Sequence, residues 1–199
     1  MRLIRNLTLM FLFAFTVGWN TYGLYNVKEI EPIVNTPTVS YTEPKTVDIN
    51  QMHCLATNIY HEARGESYAG KVAVANVTHN RVDSRRYPDT YCGVVYQAQM
   101  YVNWRGNEVP VRDRCQFSWY CDGKSDDIVL KTADGKIIKS HMIAWEESLE
   151  IAKEMIEGNL PDITDGATHY YNHNITQPYW AGYYVQVVQI DNHTFLNSN

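Results

Sequence analysis

Residues 54–66 read CLATNIYHEARGE, a pattern typical of a helix that carries a carboxylate to its own C-terminal end. Leu55 and Ile59 fall on one face at helical spacing. Gly65 is expected to end the helix, because glycine readily adopts the left-handed conformation found there. Glu62 then lies in the last turn, where the helix carbonyls disfavour negative charge. Such a carboxyl is either an exposed surface group or one that keeps its proton, as a general acid must near neutral pH.

The chain has 199 residues, enough for one domain with a core and an appendage. Residues 26–199 contain 15 basic and 22 acidic side chains. This net negative charge argues against nucleic-acid binding, which requires a basic surface. Fifteen Tyr and five Trp are many for this length. Aromatic side chains stack on sugar rings, but they also fill cores, so this composition alone does not decide between the two roles.

The N-terminal region differs in kind from the rest of the chain. Residues 1–25 join a basic flank to an apolar run at 7–17, which is typical of an export signal or a membrane anchor. No small-x-small cleavage site follows, so retention as an anchor, with its basic end inside, is favoured over cleavage. Residues 26–50 contain three Pro among polar residues and predict an extended linker. The folded domain is expected to cover 51–199.

Two further helices are predicted directly after the first. Ser67 can cap a helix through 71–82, and the Val and Ala content of this helix predicts that it is central and buried. Asp89 or Thr90 can cap a short helix at 91–97.

The second half of the chain mixes β structure with one long helix. Residues 98–114 lack a helical period and predict a hairpin or an excursion, and 116–119 predicts a cleft-lining strand or turn, or alternatively a half-buried core strand. An Asp-Gly pair inside 128–138 indicates another hairpin. A long helix is expected from a cap at Ser140 to Gly158, and the remainder is short β structure and loop.

Four cysteines fit an exported protein. Cys115 and Cys121 are close enough to close a small loop, which would leave Cys54 and Cys92 as the second pair, but three connectivities are allowed. The sequence contains no C-x-x-C or H-x-x-x-H pair among these residues that would favour zinc, so neither a metal nor another cofactor is expected.

Several motifs together resemble the cell wall hydrolases typified by the spore-cortex lytic enzyme SleB. The matching segments follow the family's order over most of residues 51–199; they read IYHEARGE at 59–66, GKVAVA at 70–75, NRV at 80–82, QFSW at 116–119 and DGATHYYN at 165–172. The resemblance implies an α+β fold, a mainly helical lysozyme-like domain with a small β-hairpin region. One departure is the segment 98–115, which the family usually lacks and which leaves the rim of the cleft, and hence substrate preference, open.

The resemblance also implies cleavage of the β-1,4 bond between N-acetylmuramic acid and N-acetylglucosamine in peptidoglycan. The family's catalytic glutamate is the first Glu of E-A-R-G-E, which corresponds to Glu62, whereas Glu66 is expected to be a structural partner. The candidates for positioning the sugar and its acetamido groups are Gln116, Ser118, Thr168 and Tyr170. His169 is a further candidate for orienting the site, and Trp180 for stacking on a sugar. For all six, a structural hydrogen bond or core packing is the alternative.

Two mechanisms and one non-enzymatic role compete at this stage. Glu62 could protonate the glycosidic oxygen and then deprotonate the muramic acid 6-hydroxyl, as in a lytic transglycosylase. A hydrolytic muramidase would need a second acid, such as Asp126, Asp127 or Asp165. No motif demands that second acid, which favours the transglycosylase. The third alternative is a membrane-tethered peptidoglycan-binding module without catalysis, which would not depend on Glu62.

The expected partners are peptidoglycan glycan strands and, through residues 1–25, a membrane. No nucleic-acid partner is expected, and the chain is predicted to be a monomer. Its predicted location is outside the cytoplasm, either membrane-anchored or periplasmic. A bacteriophage endolysin and a cell's own wall-remodelling enzyme fit this location equally well.

Overall fold

The structure is a computed structural model that describes residues 47–198. The predicted anchor at 1–25 lies outside the described residues, as does most of the linker predicted at 26–50. Within residues 47–198, no helix combines the length and the apolar character needed to cross a membrane. The elements in chain order are α1 (Ile49–Ala63), α2 (Tyr68–Asp83), α3 (Tyr91–Val95), β1 (Ala98–Val102), β2 (Glu108–Cys115), α4 (Lys139–Glu157), β3 (His169–Asn172), β4 (Val185–Ile190) and β5 (His193–Asn197).

Helix α1 begins before the predicted domain start, because the Asp48 carboxylate caps it by accepting the backbone N–H of Asn50 at 2.8 Å. The C-terminal end of α1 differs from the sequence prediction, which placed a left-handed glycine there. Arg64 continues in a right-handed conformation (φ −58°), and the Glu66 N–H then donates to the Ala63 carbonyl at 3.0 Å. Gly65 has no positive φ, so the predicted left-handed glycine is wrong. The chain turns here without a positive φ, so the turn does not require glycine.

The caps of the other helices are partly as predicted. Ser67 Oγ accepts the Gly70 N–H and begins α2, and Thr90 Oγ1 accepts the Gly93 N–H and begins α3. Gly158 ends α4 with a φ of 81°, as predicted. Ser140 does not cap α4, because the helix begins at Lys139 and places Ser140 inside its first turn.

The three long helices share one core, and α2 is buried over most of its length, as the Val and Ala content of that helix predicts. Its buried members on these helices are Leu55, Ala56 and Ile59 from α1, Val72 and Ala75 from α2, and Ile151, Ala152 and Met155 from α4, and Tyr91 of α3 joins them. A second cluster joins α2 to the C-terminal sheet through Val77 and Phe195. The helices therefore fix the position of Glu62 at the end of α1 relative to that sheet.

Two small antiparallel sheets lie beside the helices. Strands β1 and β2 form the hairpin predicted for residues 98–114, and its tip exposes Trp104, with the Arg105 guanidinium 4.5 Å above the indole ring. The second sheet has the order β3–β5–β4. The hairpin predicted at 128–138 is reduced to one bridge between Lys131 and Ile137 around a turn.

Two disulfides connect these elements. Cys54–Cys92 joins α1 to α3, and Cys115–Cys121 joins the end of β2 to the following 3₁₀ turn. Of the three connectivities that the sequence allowed, the structure therefore contains the one with the small loop. That loop carries Gln116 and Ser118, two of the predicted site residues.

Candidate active site

Glu62 lies where two cavities meet. The larger cavity has a volume of about 480 Å³ and the smaller one about 360 Å³, and Glu62 and Ser118 line both. The Glu62 side chain is half-buried in the last turn of α1. An extended polymer lying across both cavities would therefore present an internal bond to this carboxyl group.

Burial raises the pKa of Glu62, and the Tyr170 hydroxyl and the Arg81 guanidinium partly oppose this effect. The Tyr170 hydroxyl is buried beside the Glu62 carboxyl, where it favours the charged form of Glu62. Since burial is the dominant cause, Glu62 keeps its proton to a higher pH than a surface glutamate does. That property is required of a general acid near neutral pH.

Arg81 is the charged neighbour of Glu62 that sequence reasoning did not place in the site. It comes from the last turn of α2, is only 4% exposed, and its Nε donates to the Thr168 carbonyl at 2.8 Å. Its guanidinium also lies 4.9 Å from the Phe117 ring centroid and 5.3 Å from that of Tyr87. The only signal in the sequence was a polar NRV motif that ends an otherwise apolar helix.

The structure brings four of the predicted binding residues together with Glu62. Gln116, Ser118, Tyr170 and Trp180 all line the larger cavity. The remaining lining residues were not predicted as site residues; they are Arg81, Phe117, Tyr171, Asn172, Ile175, Thr176, Pro178 and His193. Among the described residues that line this cavity, Glu62 is the sole carboxylic acid.

Thr168 and His169 lie outside the larger cavity. The backbone carbonyl of Thr168 accepts a hydrogen bond from Arg81. The Thr168 hydroxyl shares a hydrogen bond with His169 Nδ1 at 3.0 Å. Burial, Arg81 and Arg86 lower the pKa of His169 to about 4, so its ring is neutral at physiological pH. Neither residue lines either of the two cavities that Glu62 lines.

Charged side chains are common in the lining of the smaller cavity, whereas the lining of the larger cavity is mostly neutral. Asp126 and Asp127 line it, are exposed, and are two of the three residues considered as a second acid. The third, Asp165, is an exposed turn residue with a φ of 50° and lines neither cavity. The Asp126 carbonyl accepts a hydrogen bond from His61 Nε2 at 3.1 Å. Within residues 47–198, no three His, Cys, Asp or Glu side chains are grouped so that they could hold a metal ion.

The sequence profile of the Cell Wall Hydrolase family matches residues 65–196. The chain belongs to the cell wall hydrolase family. The resemblance predicted from the motifs is thus confirmed, although the matched region begins just after Glu62 and does not itself test that residue. It does include the segments at 116–119 and 170–172, whose residues line the cavities.

Several spore cortex-lytic enzymes of this family are similar to the chain. The enzyme of Oceanobacillus iheyensis is 28% identical over 162 residues, which cover 80% of this chain and 45% of that enzyme. The enzyme of Halalkalibacterium halodurans is 27% identical over 168 residues, 84% of this chain and 39% of that enzyme. The chain therefore spans less than half the length of these curated relatives.

Solved structures of the family agree with the fold. The catalytic domain of the germination-specific lytic transglycosylase SleB from Bacillus anthracis aligns with a TM-score of 0.52 and 26% identity, covering 78% of this chain and all of that one. The catalytic domain of Bacillus cereus SleB aligns with a TM-score of 0.51 and 25% identity, covering 77% of this chain and 94% of that one. The predicted α+β, lysozyme-like arrangement of helices with small sheets is therefore confirmed for the described domain.

Proposed function

We propose that this chain is a lytic transglycosylase that cleaves the bond between N-acetylmuramic acid and N-acetylglucosamine in peptidoglycan. The observation that carries the proposal is the position of Glu62, a carboxyl with a raised pKa at the junction of two cavities. The similarity to SleB, which is described as a lytic transglycosylase, supports the reaction type.

In the proposed reaction, Glu62 acts first as an acid and then as a base. Its proton passes to the glycosidic oxygen as the bond from that oxygen to C1 of the muramic acid breaks, and an oxocarbenium-like state develops. The Glu62 carboxylate then takes the proton of the muramic acid 6-hydroxyl, whose oxygen bonds to C1. The products are a 1,6-anhydro sugar and a free 4-hydroxyl group, Glu62 is protonated again, and no water is consumed.

The surroundings of Glu62 suit both steps. Burial favours the neutral acid before proton transfer, and the positive charge of Arg81 favours the carboxylate after it. We propose that Gln116, Ser118, Tyr170 and Trp180 contact the glycan from the wall of the larger cavity. A direct role for Thr168 and His169 remains a prediction.

A hydrolytic muramidase is the second candidate, favoured by Asp126 and Asp127 in the smaller cavity. The products separate the two reactions. We would digest purified peptidoglycan with the full chain, with Glu62→Gln, and with Glu146→Gln as a matched control on the exposed side of α4. Mass spectrometry then identifies the ends of the soluble fragments.

Anhydro-muramic ends from the wild type and from Glu146→Gln, but not from Glu62→Gln, are the expected result. Reducing muramic acid ends would instead establish a muramidase, and Asp126 and Asp127 would be tested next. Binding to the wall without release of fragments by any of the three proteins would establish the non-catalytic module.

We further infer from residues 1–25 that the chain is exported and held at a membrane, with the segment before the Asp48 cap as a linker to the catalytic domain. Fractionation of cells that express the full chain, with and without residues 1–25, tests this proposal. The anchor proposal predicts membrane-associated protein that external protease can digest, and loss of this association on truncation.

Size-exclusion chromatography of the purified chain tests the expected monomer. A role in phage lysis or in wall remodelling is compatible with this location.

A further inference from the structure

Residues 122–129 form a loop without helix or strand that lies along the smaller cavity. The loop supplies six of the residues that line this cavity; they are Asp122, Lys124, Ser125, Asp126, Asp127 and Val129. Glu62, at the end of α1, lines the same cavity. The loop is therefore a wall of the space into which a strand extends from Glu62. The acid–base steps proposed for Glu62 do not involve this loop.

Both ends of the loop are fixed to the domain. Cys121 is bonded to Cys115 in the short disulfide, and the Leu130 carbonyl accepts the Ile138 N–H at 2.9 Å. Most of the residues between these ends are exposed, so the loop buries little surface of its own. Its position therefore depends on the bonds that join it to the domain between its two ends.

Two histidines provide such bonds. His61 Nε2 lies 3.1 Å from the carbonyl oxygen of Asp126, and His141 Nδ1 lies 2.9 Å from the carbonyl oxygen of Val129. Within residues 47–198, these two are the side-chain hydrogen bonds that reach the loop from outside it. Because His61 comes from α1 and His141 from α4, the loop is joined to two helices of the main core.

Packing holds the two histidine rings in place. His61 stacks on Trp119, with 4.5 Å between centroids and 17° between planes. The buried Tyr60 ring packs edge-on against both histidines, at 5.3 Å from His61 and 6.2 Å from His141. Because a carbonyl oxygen only accepts hydrogen bonds, His61 carries a hydrogen on Nε2 and His141 carries one on Nδ1. The two residues thus donate from different ring nitrogens.

We propose that His61 and His141 are positioning residues that hold loop 122–129 as a wall of the smaller cavity, where the glycan strand binds on one side of the reacting bond. Without these donors, the loop moves about its two fixed ends and the cavity loses this wall for part of the time. Substrate binding then weakens, whereas the reaction at Glu62 is unchanged. This inference rests on the proposed function, because it concerns binding of the same substrate.

Asparagine and glutamine distinguish the two ring nitrogens. The side-chain N–H of asparagine lies near the position of histidine Nδ1, and that of glutamine lies near the position of Nε2. His61→Gln and His141→Asn therefore keep a donor for the loop, whereas His61→Asn and His141→Gln misplace it. Both His61 variants lose the stacking on Trp119, so this loss does not explain a difference between them.

Limited proteolysis of the full chain tests the tether without catalysis. Trypsin cuts after Lys124, which is exposed inside the loop, and after Arg105, which is exposed at the tip of the β1–β2 hairpin. We expect cleavage at Lys124 to become about 2- to 10-fold faster in His61→Asn and His141→Gln, as loss of one hydrogen bond implies. The variants that keep the donor should be cut at the wild-type rate, and cleavage at Arg105 should be equal in all five proteins. Equal rates at Lys124 for the two variants of each histidine would overturn the inference.

Kinetics on soluble glycan strands test the role in substrate binding. We expect KM to rise about 2- to 10-fold in His61→Asn and His141→Gln, while kcat and its pH profile stay close to those of the wild type. His61→Gln and His141→Asn should restore KM. A fall in kcat without a change in KM, or a shifted pH profile, would show that the histidines act on Glu62, and the positioning role would be wrong.

Failure of the proposed function gives a different result. If the wild type cleaves no peptidoglycan, the proposed function fails, and the trypsin result at Lys124 still tests the tether. Co-sedimentation with purified peptidoglycan then replaces KM as the measure of binding. Weaker binding by His61→Asn than by His61→Gln supports the inference, and equal binding contradicts it.

Discussion

The carboxylate of Glu66 accepts hydrogen bonds from Asn192, at 3.0 and 3.2 Å from its side-chain amide and at 3.3 Å from its backbone N–H. This contact joins the turn after α1 to the turn between β4 and β5. Beside it, the Asp191 carboxylate accepts the Ser67 N–H at 2.8 Å and lies so close to Gly70 that a Cβ atom there would clash.

These contacts define a structural role for Glu66, as the sequence predicted. Asn192 precedes His193, which is buried and lines the cavity of Glu62. The first acid of the EARGE motif thus faces the cavity, and the second acid holds the hairpin that completes its wall. The two acids are four positions apart in the sequence, which is about one helical turn.

The first prediction concerns this pair. Glu66→Ala and Asn192→Ala should each lower the free energy of unfolding by about 1–2 kcal/mol, because each removes hydrogen bonds to a carboxylate. The double variant should cost less than the sum of the two single ones, since both changes remove the contacts between the Asn192 side-chain amide and the Glu66 carboxylate. Urea unfolding of the four proteins measures this coupling. Strictly additive losses would show that the two side chains act independently.

Local sequence signals were sufficient for much of the fold. The caps Ser67 and Thr90, the terminal glycine Gly158 and the hairpin at 98–114 depend on neighbouring residues along the chain, and the structure confirms all four. Glu62 was also correctly placed in the last turn of its helix. These features follow from backbone geometry that nearby residues determine.

Features that depend on distant contacts were missed or wrong. Gly65 was expected in a left-handed conformation, but the turn is held by the Glu66 N–H and by the contact with Asn192, 126 residues away. The buried state of Arg81 depends on Thr168 and Phe117, which come from other parts of the chain. Residue pattern alone does not bring such partners together.

The second prediction concerns stability and pH. Burial raises the folded-state pKa of Glu62 above its ordinary value of 4.5, so the folded state binds this proton more tightly than the unfolded state does. The resulting stabilisation is complete below pH 4.5 and is lost as the pH rises through the folded-state pKa. Glu62→Gln has no such proton to lose. Its stability relative to the wild type should therefore increase across this window.

Urea unfolding at a series of pH values measures the difference, with Glu146→Gln as the control for the loss of an exposed carboxylate. We expect the wild type and Glu146→Gln to weaken in parallel over this window while Glu62→Gln does not. If all three curves run in parallel, the carboxyl of Glu62 does not have a raised pKa.

The third prediction concerns the pH dependence of catalysis. After burial, the Tyr170 hydroxyl has the largest effect on the pKa of Glu62, and this effect lowers it. Tyr170→Phe removes only the hydroxyl, so the pKa of Glu62 should rise further. Because the acid must be protonated to react, the alkaline limb of kcat/KM against pH should move to higher pH. Tyr183→Phe, at an exposed position, should leave the limb in place, and a shift to lower pH for Tyr170→Phe would contradict the prediction.

The fourth prediction separates the two disulfides. The cysteines of Cys54–Cys92 are 38 positions apart, and those of Cys115–Cys121 are 6 apart. From the loop-closure entropy of the unfolded chain, we expect the two disulfides to raise the free energy of unfolding by about 4 and about 2 kcal/mol, respectively. Double Cys→Ser variants measured by urea unfolding should show the larger loss for Cys54–Cys92. Turnover should show the opposite order, because the short loop carries Gln116 and Ser118 in the cavity wall.

Turnover must be measured well below the unfolding transition of each variant, so that both proteins are fully folded. Under these conditions, loss of Cys54–Cys92 should leave kcat/KM close to that of the wild type, since this bridge joins α1 to α3 away from the cavity wall. Loss of Cys115–Cys121 should lower kcat/KM even in fully folded protein. If both variants instead lose activity in proportion to stability, the short disulfide stabilises the domain without positioning the cavity wall.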